Sequence, residues 1–270
     1  MEHFFTLTAP AITIRSKYYV SVLLQRLEVA NVARIPAALS ELSGRERESL
    51  YLKYRSDFFR YWNGQNIRNE RLVSDVDELL PGTARILCHP LWQLISGRAT
   101  LEPELIFLAR MVEPALQGFI YSHDPASQAG TLKNYSMDHR WLKKGAEFLR
   151  MIDRRGLDEL TALLLIIRAH ELQGACVVSY LLRRIVDDFF FEISRLETFK
   201  PIAILLYKQI HEALTKPVCN GEKYYCRKLN CMSESESAFD FTLREVEANT
   251  SSCTSRDNQY SRILRCNRGA

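Results

Sequence analysis

Asp187, Asp188 and Glu192 stand together in the run Asp187-Asp188-Phe189-Phe190-Phe191-Glu192. On a helix such carboxylates lie about one turn apart, a spacing at which oxygen ligands can share a divalent cation. His89 and the pair His123-Asp124 precede them. With Asp187 or Asp188 they form a His/Asp set of the kind that holds a divalent metal for hydrolysis. His170-Glu171 and His211-Glu212 each put an imidazole beside a carboxylate. Neither has a second His four residues on, so neither has the one-face geometry of a helical zinc hydrolase. Five of the seven cysteines (Cys219, Cys226, Cys231, Cys253 and Cys266) fall in the last 54 residues without a C-x-x-C pair. Structural zinc needs closer thiolate pairs. The chain has no G-x-S-x-G, no P-loop and no G-x-G-x-x-G, so no nucleophile elbow or phosphate cradle is evident. The expectation is a non-enzymatic protein with no catalytic residue, no metal ligand and no cofactor.

Two resemblances define the enzymatic alternative. The run from Asp187 to Glu192 resembles the aspartate-rich motif of terpene synthases, which are also all-helical. The order His89, His123-Asp124, then Asp187 or Asp188 resembles that of the HD-type phosphohydrolases. Either implies a metal-dependent lyase or hydrolase. The local sequence offers a simpler origin for these charges. Arg183 and Arg184 each stand four residues before an aspartate, so i,i+4 ion pairs on a solvated helix face account for the acidic run. Asp124 is followed by Pro125, which favours a turn.

Residues 46–80 point to nucleic acid instead. The run Ser56-Asp57-Phe58-Phe59-Arg60-Tyr61-Trp62-Asn63-Gly64 opens on a residue suited to cap a helix and closes with aromatics before a glycine. An amphipathic stretch with Leu72, Val73, Val76, Leu79 and Leu80 follows. This resembles the second half of Cro/repressor-type helix-turn-helix domains. The resemblance implies that the helix from Ser56 enters the major groove of duplex DNA. It makes Arg55, Arg60, Arg68 and Arg71 the candidate DNA contacts, with Arg60 foremost. The competing expectation is a helical hairpin with Phe58, Phe59, Tyr61 and Trp62 in its core. Residues 47–52, where the family carries a small residue and a glycine, read Arg-Glu-Ser-Leu-Tyr-Leu.

The elements that must position these residues are helical. Val178, Leu181, Leu182, Ile185, Val186, Phe189, Phe190 and Ile193 alternate steps of three and one, which draws a continuous apolar stripe on a helix. The same spacing predicts helices over 157–172, 199–214, 17–30 and 104–120, the last kinked at Pro114. Further helices are predicted over 46–62, 69–80, 84–95 and 137–152. Only Phe5 to Ile14 alternates in a strand-like way, and it contains Pro10. The fold class read from this pattern is all-α, an irregular multi-helix bundle with a poorly ordered C-terminal tail. The organisation reads as an N-terminal helical region (1–100), a helical body (101–216) and a Cys/Ser-rich tail (217–270).

Charge and composition narrow the function classes. With 47% hydrophobic and 25% charged residues, the chain can build a core, and wholesale disorder is excluded. The net charge of +4 is too small for a nucleic-acid coat protein. Residues 1–100 carry 13 basic and 10 acidic side chains, against 15 of each over 101–216. The start lacks a basic, then apolar, leader. No apolar run approaches the roughly 20 residues of a membrane span. A cytoplasmic protein is expected, with duplex DNA, a protein partner or a second copy of the chain as its partner.

Overall fold

The computed structural model describes residues 7–44, 51–97, 99, 101–123, 130–132, 156–172, 176–215 and 244. The fold is all-α, an irregular helical bundle with one short two-stranded ribbon. The predicted helix over 137–152 lies outside the described residues, and so does the 217–270 tail apart from Arg244. Among the described residues, no helix is long and apolar enough to cross a membrane.

Helix α1 (Ala9–Arg26) organises the N-terminal half. The alternation of Phe5 to Ile14 does not make a strand, because the chain is helical from Ala9. Pro10 sits in the first turn, where its missing N–H has no intrahelical partner to lose. Ala11, Ile14, Tyr18 and Val22 recur at helical spacing and enter one apolar core. Tyr19, Val20 and Leu23, on the other side, enter a second core. One helix therefore serves two cores.

The second core is closed by short helices. A 3-10 turn (Val32–Arg34) leads into α2 (Ile35–Ser43), an element not anticipated from the sequence, with Pro36 in its first turn and Ile35 and Leu39 buried. Then come α3 (Arg55–Trp62) and α4 (Glu70–Leu79). The Asn69 side chain caps α4 by accepting the Leu72 N–H at 3.1 Å. Between α3 and α4, Gly64 has φ +88°, and a Cβ there would lie 2.5 Å from Thr13 Cγ2. Only glycine combines that conformation with such close approach to α1. The single helix predicted over 84–95 is two, α5 (Thr83–Leu87) and α6 (Pro90–Ile95). Pro90 forces His89 into extended backbone and so ends one helix before starting the next.

The larger core belongs to α6 and the helices after it. Residues 104–120, expected as one kinked helix, form α7 (Glu102–Ala109) and α8 (Pro114–Ile120). Pro114 begins the second helix rather than bending a single one. The unexpected ribbon follows, β1 (Tyr121–His123) antiparallel to β2 (Gly130–Leu132), with Tyr121 opposite Leu132. Helix α9 (Leu157–Leu172) runs through the centre against α6, α7, α8 and α10 (Cys176–Ile193). Its burial extends beyond the predicted stripe to Ala162, Leu165, Ile166 and Ala169. A helix apolar on all sides belongs in a core. Helix α11 (Ala203–Thr215) completes the body, with the Tyr207 ring 5.0 Å from that of Phe190 and tilted 51° to it.

Candidate nucleic-acid interface

The residues around α3 divide cleanly into two faces. Tyr51, Tyr54, Phe58 and Tyr61 recur at steps of three and four and are buried in the second core. Arg55, Ser56, Phe59, Arg60 and Asn63 face solvent. Half of the expected aromatic core is thus internal. Phe59 is 40% exposed and Trp62 is half-buried. Ser56 does not cap the helix. The first turn begins at Arg55 after a turn at Lys53-Tyr54, and the Asp57 and Phe58 N–H groups donate to the Tyr54 carbonyl. Residues 45–50, where the preceding helix of a helix-turn-helix would lie, are outside the described residues.

All four candidate arginines are exposed. Arg55 and Arg60 share the solvent face of α3, Arg68 lies in the loop after it, and Arg71 is in the first turn of α4. Arg60 is held lightly. Its Nε–H donates to Gln65 Oε1 at 2.7 Å, and its Nη1 lies 3.5 Å from Asp57 Oδ1. Exposed pairs of this kind contribute under about 1 kcal/mol and yield to a phosphate at little cost. Over residues 51–73 there are five basic side chains and two acidic ones.

The proposed metal residues sit differently. His89 is buried, and both ring nitrogens face protein. Nδ1 accepts the Leu91 N–H at 3.2 Å and caps α6. Nε2 lies 3.4 Å from Asp158 Oδ1, within ion-pair range but without a hydrogen bond. Asp187 accepts the Tyr207 hydroxyl at 2.7 Å, and Asp188 is exposed. His123 falls in β1, and Asp124 lies outside the described residues. Among the described residues, no group of three or more His, Cys, Asp or Glu comes together to hold a metal. Of the two local ion pairs expected on α10, that of Arg183 with Asp187 is revised, and the Arg184 side chain lies outside the described residues. Arg183 turns from Asp187 to Glu171, with Nη2 2.5 Å from Glu171 Oε1 and 2.7 Å from the Leu214 carbonyl.

Two ionic arrangements, each built on one buried side chain, escaped the sequence reading. One joins Arg168, Glu171 and Arg183 to the end of α11. Arg168, 4% exposed, donates to Glu171 Oε2 at 2.7 Å and to the Ala213 carbonyl. Two guanidiniums thus satisfy carbonyls at the end of α11, where the helix dipole favours cations, and Glu171 pairs with both, one through each carboxylate oxygen. The other is at the start of α9. Asp158 Oδ1 also accepts the Glu113 N–H at 3.1 Å, and Oδ2 lies 3.5 Å from Arg85 Nη2. Burial opposes the Asp158 charge, but the His89 ring, the Glu113 amide and Arg85 outweigh it and hold the carboxyl below its ordinary range.

The adjacent Glu159 is shifted the other way. Burial pushes its carboxyl up, and the Gly156 N–H, donating to Oε2 at 3.0 Å, offsets this only in part. An acid with a raised folded-state pKa contributes stability below its unfolded value and loses it as pH rises through the folded one. Glu159→Gln is therefore expected to match wild type below about pH 4.3, the ordinary glutamate value, and to melt higher at neutral pH. Melting curves across pH decide this. A variant less stable than wild type at neutral pH would show that the Gly156 bond outweighs the burial cost.

Fold and surface define an all-helical protein with two apolar cores, ionic clamps and an exposed basic helix. Comparison with protein-family models, with curated proteins and with solved structures returned no match.

Proposed function

We propose that this chain is a non-enzymatic regulator-like protein that binds duplex DNA through the solvent face of α3. The observation that supports this is the division of that short helix. An aromatic face anchors it, while Arg55, Ser56, Phe59 and Arg60 project outward together. Arginines serve phosphates and guanine edges, and an apolar side chain between them suits a thymine methyl. Arg68 and Arg71 supply further phosphate contacts. Such a role fits a cytoplasmic location.

Fluorescence anisotropy against a mixed-sequence duplex tests the proposal. Binding is expected at low salt and to weaken steeply as salt rises. Arg55→Ala and Arg60→Ala are each expected to weaken it, and loss of a phosphate contact lowers the salt slope by about 1. Folded protein that shows no salt-sensitive binding would end this reading.

A second reading, a protein-interaction module, is favoured by a different observation. Leu42, Leu52 and Phe59 are 57%, 54% and 40% exposed, all within the N-terminal region. Large apolar side chains left open suit a protein surface, including a second copy of the chain. Sedimentation of wild type against Leu52→Ser/Phe59→Ser distinguishes the two. Self-association lost in the double variant supports the module, while a monomer that still binds DNA supports the first reading.

A further inference from the structure

A cleft of about 370 Å³ opens between α1, α5, the start of α9 and the turn after α10. Its volume falls within the roughly 300–1,000 Å³ of small-ligand sites. Two guanidiniums, Arg26 and Arg85, line it, and Asp158 is the only carboxylate among its lining residues. The lining therefore carries a net positive charge. Arg26 is anchored by Nη1, which donates to the Pro81 carbonyl at 2.8 Å. Among the described residues its Nη2 makes no hydrogen bond, so the fork keeps donors to offer. Arg85 is 61% exposed and meets only Asp158, at 3.5 Å.

The rest of the lining adds to the same chemistry. The N-terminal end of α9, a 16-residue helix, opens onto the cleft through Gly156 and Leu157, and its dipole favours an anion there. Behind Asp158, the buried Nε2 of His89 lies 3.4 Å from Oδ1 and holds that carboxylate back from the arginines' open side. Thr198 and Gln25 supply neutral polar groups. The hydroxyl of Tyr18, beside Thr198 and Arg26, is pushed up to about 12 by burial, so it stays protonated and can donate. Leu196 and Phe199 make an apolar side to the same space, and Leu196 is partly exposed there.

We infer that this cleft binds a small organic anion, a phosphate monoester or carboxylate attached to an apolar group about the size of one ring. The acid group sits between Arg26, Arg85 and the start of α9, and the apolar group lies against Leu196 and Phe199. The inference does not depend on DNA binding, since no residue of α3 takes part.

Phenyl phosphate is the probe, with benzyl alcohol and inorganic phosphate as controls, added to the full chain. Phenyl phosphate is expected to raise the melting temperature, less so in high salt. Inorganic phosphate is expected to give a smaller rise and benzyl alcohol none. Each charged hydrogen bond removed weakens binding by about tenfold or more, so Arg26→Gln/Arg85→Gln is expected to abolish the shift. Arg85→Gln alone removes only an exposed side chain and keeps the test valid if the double variant fails to fold. It is expected to weaken phenyl phosphate at least several-fold in a calorimetric titration. No shift with phenyl phosphate, an equal shift with benzyl alcohol, or undiminished affinity in Arg85→Gln would overturn the inference.

Discussion

Glu171→Ala is expected to lower stability by about 3–5 kcal/mol, the usual cost of removing one partner from a buried ion pair. The reason lies in what stays behind. Arg168 is almost wholly buried against the end of α11, and Arg183 is two-thirds covered. Without Glu171, two positive charges remain against the carbonyls of Ala213 and Leu214. Those carbonyls solvate a cation in part but do not neutralise it. For a chain of this size the loss corresponds to a fall in melting temperature of roughly 10 °C. Glu171→Gln keeps one acceptor and is expected to fall between the two. Urea denaturation of the three proteins measures the series. A loss under about 1 kcal/mol in the alanine variant would mean that the arginines swing out to water and that the clamp adds little.

Trp92→Ala carries the second large effect, also about 3–5 kcal/mol. Trp92 is 1% exposed, with its ring 5.9 Å from Tyr18 and 6.4 Å from His89. Truncation opens a cavity where α1 meets α6. It also removes the Trp92 Nε1–H bond to the Ile86 carbonyl at 2.6 Å, leaving that carbonyl with the His89 N–H at 3.3 Å. Trp92→Phe separates the two contributions. It refills much of the volume but lacks the indole N–H, and about 0.5–1.5 kcal/mol of the cost, the net worth of one hydrogen bond, should persist. If the phenylalanine variant is as stable as wild type, the indole bond contributes nothing and the whole effect is packing.

The long helices were legible because burial writes itself into spacing. The stripe from Val178 to Ile193 and the apolar run in 157–172 need a helix to make one face or one core, and both are helical. Shorter elements were not. Ile35–Ser43 spans too few turns for periodicity to show. In Phe5 to Ile14, β-branched alternation competes with a proline well placed to start a helix, and packing of Ala11 and Ile14 decides the outcome. The aromatic face of α3 and its exposed arginines were half legible. The hairpin expectation put Phe58, Phe59, Tyr61 and Trp62 together in the core, whereas only Phe58 and Tyr61 are buried and Phe59 turns outward. The ionic contacts were hidden for a different reason. Arg183 has an aspartate four residues on, which local rules favour. Its actual acceptors, Glu171 and Leu214, lie 12 and 31 residues away. The Glu171 carboxylate together with an unpaired carbonyl at a helix end offers Arg183 more than Asp187 alone, which already accepts the Tyr207 hydroxyl, and only the folded chain brings them within reach. His89 and Asp158 meet across 69 residues, beyond any spacing argument.

Helix α1 gives one side to each core. Its polar residues reach both ways too. Arg15 donates to Asn66 Oδ1 and the Leu87 carbonyl, and Ser21 donates to the Glu197 carbonyl. Neither cluster can lose this helix and keep its own apolar interior covered. Two clusters of buried residues would ordinarily allow two separate melting steps. Here they share a structural member, so their unfolding is thermodynamically linked. The chain is expected to unfold as one cooperative unit, with the slowest-exchanging amides of α1 reporting the global opening of both halves.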